Sequence, residues 1–114
     1  MAWQKSSPEL VERFSRVVGR FPDVTQRKMF GYPAGFVGGN MVTSLFEESW
    51  VVRLDPDGLE EARAAGGTTF DPMGGRPMKG YVTLPPEVLA DEDATAGWVE
   101  RAIAHGRTMP AKKK

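Results

Sequence analysis

Two short runs concentrate the residue types able to do chemistry: Arg27-Lys28-Met29-Phe30-Gly31 and Gly75-Arg76-Pro77-Met78-Lys79-Gly80-Tyr81. Each sets two cations beside a methionine, glycine and an aromatic ring. Guanidinium and ammonium groups recognise carboxylates and phosphates, and methionine with an aromatic offers an adaptable apolar floor. With Arg53 added from a neighbouring strand, the candidate anion or acidic-partner patch is Arg27, Lys28, Arg53, Arg76 and Lys79. These form a binding surface if they converge at one rim of a sheet. The plainer alternative sends the apolar members into the core and leaves the cations as solvated strand ends.

Other chemistries find less support. A metal site has one histidine, His105, no cysteine, and no carboxylate pair at ligand spacing beside it. Asp91, Glu92 and Asp93 are adjacent, so they diverge at a helix start, where the dipole favours them. His105 in a last helical turn is favoured by the same dipole. The serines Ser6, Ser7, Ser15, Ser44 and Ser49 lack the Gly-x-Ser-x-Gly setting of an activated nucleophile. Gly38-Gly39-Asn40 and Gly74-Gly75-Arg76 could hold an anion on exposed amides, yet neither fits a phosphate-loop or dinucleotide fingerprint, and turns explain both. The expectation is therefore no catalytic, cofactor-binding or metal-binding residue, and no cofactor.

The 114 residues, 40% hydrophobic and 26% charged, suit one domain with a single core. Domain boundaries are expected at 1–110, with 111–114 as a disordered basic tail. Without cysteine there are no disulfides or thiolate sites. No apolar run approaches the roughly 18 residues of a membrane span, and the start lacks a signal-peptide apolar region, so the cytoplasm is the expected location. Net charge is zero but unevenly spread: residues 1–46 carry +3, 47–100 carry −8 and 101–114 carry +5. A polyanion binder usually shows a clear basic excess, which ranks nucleic acid last among the partners considered.

The elements that must position these residues read as follows. A helix starts at Ser6 or Ser7 with Pro8 in its first turn and Glu9 completing a capping box with Ser6; Leu10, Phe14, Val17 and Val18 form its apolar stripe. Val24 to Phe30 is a first strand. Gly38-Gly39 closes a hairpin, Met41 to Phe46 and Trp50 to Leu54 are further strands, and Glu47-Glu48-Ser49 turns between them. Asp55-Pro56 opens a short helix ended by Gly66-Gly67. Thr68 to Phe70 begins another strand, residues 71–77 form a loop, and Lys79 to Leu84 is the final strand, ended by Pro85-Pro86. The last helix starts near Asp91, with Trp98, Val99, Ala102 and Ile103 as its stripe. Strands joined by short turns pair antiparallel, so the fold class is α+β: one antiparallel sheet of about five strands with N-terminal, middle and C-terminal helices on one face. The other face must be polar or covered by a partner.

Arg27-Lys28-Met29-Phe30-Gly31, Gly38-Gly39-Asn40-Met41, Val51-Val52-Arg53-Leu54, Gly75-Arg76-Pro77-Met78-Lys79-Gly80 and Trp98-Val99-Glu100-Arg101-Ala102, in this order and spacing, resemble the N-terminal domain of the TfoX/Sxy competence-regulator family over roughly residues 9–110. The resemblance implies an α+β sandwich similar to type III secretion chaperones, and a link to competence genes beside a cyclic-AMP-responsive transcription factor. It supplies no catalytic residues. Relatives acting in competence carry a second, helical domain, so the expectation is a stand-alone N-terminal domain. Gly31 is followed by Tyr32-Pro33 where relatives often have Gly-Gly after Met-Phe.

The leading expectation is a non-catalytic cytoplasmic regulatory module acting through protein contacts, either with a protein partner or with itself as a homodimer over the open sheet face. The alternatives are a small-molecule or anion-binding domain, or an enzyme of unassigned type, using Arg53, Arg76 and Lys79, and then direct nucleic-acid binding through Arg27, Lys28 and the terminal lysines. No membrane is implied.

Overall fold

A computed structural model describes residues 6–29, 31–71 and 80–109. The chain opens with helix α1, Pro8–Val18, and the cap is Ser7, whose hydroxyl accepts from the Leu10 amide at 3.3 Å. The Ser6–Glu9 capping box therefore does not form. Ser6 instead donates its hydroxyl to the carbonyl of Glu47, pinning the start of α1 to a strand turn. Phe14, Val17 and Val18 are buried, as the helical spacing requires.

Six antiparallel strands follow: β1 Thr25–Met29, β2 Tyr32–Val37, β3 Asn40–Phe46, β4 Ser49–Arg53, β5 Thr68–Thr69 and β6 Tyr81–Thr83. Their order across the sheet is β1-β2-β3-β4-β6-β5. The final strand thus inserts beside β4, leaving β1 and the short β5 at the edges. Gly38 and Gly39 take φ of 58° and 83°, the positive values of a primed hairpin turn. Between β3 and β4 the same region is entered by Glu47, at φ 53°. The expected strands at 24–30 and 79–84 are present in shorter form; Phe30, residues 72–79 and the 110–114 tail lie outside the described residues.

Helix α2 spans Pro56–Ala64 and is capped by Asp55, which accepts from Gly58 N at 2.7 Å. The Pro85-Pro86 pair does more than end a strand: Pro86 opens the one-turn helix α3, Pro86–Leu89, because proline is preorganised for a first helical position. Helix α4 runs Glu92–Thr108 from its cap Asp91, whose carboxylate accepts from the amides of Asp93 and Ala94 at 3.0 and 3.2 Å.

The helices lie on one face of the sheet, and α4 is their centre, touching β2, β3 and β4 as well as α1 and α3. A bulge lets it sit close. Gly35 pairs with Thr43 and Phe36 with Met41, so Val42 is the extra residue of β3. Val42 is fully buried and meets α4 at Gly106, where a Cβ would fall 2.5 Å from Val42 Cγ1. Only glycine permits this approach. Nearby, Trp50 is fully buried against Phe14, with ring centroids 5.1 Å apart. Its indole N–H donates to the Thr43 hydroxyl at 2.8 Å, and that hydroxyl donates to the Val51 carbonyl at 2.9 Å. Among the described residues no buried side-chain polar atom lacks a partner.

The second face departs from expectation. It is neither polar nor open for a partner over its centre: Ala34, Ser44, Val51, Phe70 and Tyr81 are all buried there, with Met41 and Phe46 half-buried against them. Rings follow one another across it, Tyr32–Phe46 at 5.3 Å, Phe46–Phe70 at 5.6 Å and Phe70–Tyr81 at 6.5 Å. The reason is in β4, where Trp50, Val51 and Val52 are consecutive and apolar, so both faces of the strand demand cover.

Two glycines of α4 separate packing from propensity. Gly106→Ala should lower stability by about 1–3 kcal/mol through overpacking against Val42. Gly97→Ala, where an added Cβ meets nothing within 4 Å, should raise it by about 0.5–1 kcal/mol. Urea denaturation followed by tryptophan fluorescence reads both.

Candidate functional site

Of the five candidate cations, Arg27, Lys28 and Arg53 are described, while Arg76 and Lys79 lie outside the described residues. Arg27 and Lys28 are neighbours on β1, so their side chains leave opposite faces of the sheet. Arg27 pairs with Ala34 and lies over the Phe36 ring, 5.9 Å from its centroid, on the aromatic face. Lys28 pairs with Pro33 on the helix-bearing face. Arg53, on β4, shares the aromatic face with Arg27, but three strand spacings, about 14 Å, separate them. The register therefore brings none of these three together in one small-ligand site.

Arg53 has its own setting. It is half-buried and lies over the Tyr81 ring at 5.6 Å, while the Tyr81 hydroxyl donates to the Met41 carbonyl at 3.1 Å. Burial pushes the Tyr81 phenol above its ordinary range, and the charge of Arg53 pulls the other way. Here a cation caps an aromatic cluster and keeps its head at the surface.

Most other described arginines are committed within the fold. Arg16 of α1 and Arg20, just beyond its end, reach Glu92 at 2.8 and 3.0 Å, and Arg20 also reaches Asp93 at 3.4 Å. Arg13 donates to the Leu89 carbonyl. Arg101 pairs with Glu61 and Arg107 with Asp23, each at 2.7 Å. The acidic start of α4 thus serves its own dipole and also clasps α1. This second role was not visible in sequence, because the partners are 76 residues apart. Hydrogen bonding by Arg16 holds the Glu92 carboxyl below its usual range, against the opposing effect of desolvation and helped by the charges of Arg16 and Arg20.

By contrast, β1 is exposed along all five residues, and among the described residues β2 is its only sheet neighbour. Between Asp23 and Glu47 the sequence contains no carboxylate, and its only formal charges are Arg27 and Lys28. Among the described residues neither pairs with an acid. Met29, 37% exposed, lies beside them on the aromatic face. The opposite edge, β5, has only two residues.

His105 is half-buried in the last turn of α4, as expected from the sequence. It lines an open groove of about 510 Å³ with Leu54, Asp55, Arg101, Ala104 and Thr108. Sequence reasoning missed this groove, since its walls come from the start of α2 and the end of α4. Its charged groups are already engaged: Asp55 caps α2, and Arg101 holds Glu61 and lies 5.0 Å over Trp98. Among the described residues no cluster of three or more His, Asp or Glu could hold a metal, and no helix is long and apolar enough to cross a membrane.

The family model of the TfoX N-terminal domain matches residues 16–106, most of the chain, and the chain belongs to that family. No curated protein matches it.

The Arg16–Glu92 clasp has a defined pH signature. Because the native carboxyl titrates below its ordinary value of 4.5, its stabilisation is fully present above that value and is lost as pH falls through the depressed one. Glu92→Gln should therefore be less stable than wild type at neutral pH. The difference should shrink through the acid range and vanish below the native titration, as read by urea midpoints across pH.

Proposed function

We propose that this TfoX N-terminal domain is a small, non-catalytic cytoplasmic regulatory module whose working surface is the β1 edge and whose partner is a protein. The observation that carries the reading is β1 itself: five exposed residues on a sheet edge, bearing Arg27 and Lys28, which among the described residues pair with no carboxylate. An exposed edge is a liability unless it is managed or used. Cations on it suppress self-association and favour an oppositely charged partner. The family's association with competence regulation supports a regulatory role. A role without turnover is supported by the described arginines, most of which are engaged in clasps or over aromatic rings.

A homodimer through β1 has a specific difficulty. Antiparallel pairing of the full strand with a second copy, centred on Arg27, sets two Arg27 side chains opposite one another, and directly opposed like charges are destabilising. A different protein is the better occupant.

Photo-crosslinking in living cells tests the reading. A benzophenone side chain at Met29 should give a discrete protein adduct that disappears when Arg27 and Lys28 are both replaced by glutamate. The adducted protein, purified, should bind the domain directly. No adduct at Met29, or one indifferent to charge reversal, would overturn the reading.

A further inference from the structure

Resting on that reading, the geometry points to a specific occupant for β1: an extended acidic segment of a partner protein, added antiparallel or parallel as a seventh strand. Three observations converge on this. First, β1 pairs with β2 continuously from Thr25↔Phe36 to Met29↔Tyr32, and the sheet's bulge lies between β2 and β3. The outer edge is therefore a regular ladder template, without proline or a bulge to spoil it. Second, every residue of β1 is exposed, and among the described residues no strand pairs with its outer edge. Third, the charge there is positive on both faces, with Arg27 on one and Lys28 on the other.

The third point sets the recognition chemistry. A strand laid along β1 presents its side chains alternately to the two faces. Two consecutive acidic residues would thus meet Arg27 on the aromatic face and Lys28 on the helix face. A helix docked at the same place would offer acids on one face only and would leave the ladder groups of β1 unpaired. Met29 adds a requirement. It lies two residues from Arg27 on the same face, beside Tyr32, so the position two residues from the acid opposite Arg27 should be apolar, preferably β-branched or aromatic. The expected segment is an acidic pair with a hydrophobic residue two positions from one member. Affinity comes from the main chain, and selection from the two charges.

Selection of a random peptide library displayed on phage against the purified full chain tests this. Enriched peptides should carry the acidic pair. A synthetic copy of the best should bind at least about tenfold more weakly to the Arg27→Glu/Lys28→Glu variant. All replaced side chains are exposed, so the variant should keep the wild-type melting temperature, which is measured alongside. N-methylation of the peptide, one amide at a time, is the decisive arm. Only alternate amides face the edge in an added strand, so binding should be lost with a period of two. Enriched peptides that lack acids, or show no such period, would overturn the added strand while leaving a protein-binding module in place. No enrichment over the variant would overturn it as well. So would salt-sensitive binding of a DNA duplex that depends on Arg27 and Lys28 while no peptide binds, and that outcome would take the protein-interaction reading with it.

Discussion

The contact between Gly106 and Val42 governs this fold. Helix α4 touches three strands and two other helices, so its distance from the sheet sets the geometry of everything on that side. That distance is allowed by two local facts acting together: a bulge that gives β3 an extra buried residue, Val42, and a helix residue with no Cβ to oppose it. Once α4 is seated, α1 can pack beside it, burying Phe14 on Trp50 and bringing Arg16 and Arg20 to Glu92. Those exposed pairs contribute little by themselves. They report the arrangement more than they create it, and packing beneath them supplies the stability.

Elements whose causes are local were legible in the sequence. Pro8 at the start of α1, the Gly38-Gly39 turn, the Asp55 cap and the Asp91 cap all act within a few residues, and each is found. Causes that act through space were not. Which of Ser6 and Ser7 caps α1 was left open by the sequence, and Ser7 takes that place while Ser6 donates to the distant Glu47 carbonyl. The buried aromatic face depends on Phe70, contributed from beyond β5. The short helix α3 was hidden because proline pairs end strands and begin helices with equal ease.

The candidate site was legible in a divided way. That Arg27 and Lys28 must diverge follows from adjacency on a strand, and it removes the simplest form of a converging anion pocket around them. That they stand on an edge does not follow from the run itself. It requires β6 to enter between β4 and β5, which sends the growing side of the sheet away from β1. The motif therefore marked an exposed strand without revealing that it lies at an edge of the sheet.

That openness is what remains when the rest of the surface is considered in turn. One face of the sheet is filled by the helices, and the centre of the other by Val51, Phe70 and Tyr81. Across the helical layer, Arg16, Arg20, Arg101 and Arg107 are each answered by a carboxylate. The β5 edge is too short to template more than a residue or two. Among the described residues, β1 alone joins a regular ladder edge to positive charge that no carboxylate pairs with. A sheet edge in that state is held open at some risk of unwanted pairing. On the proposed reading, two cations, one on each face, would disfavour pairing with a second copy and still admit a strand of opposite charge.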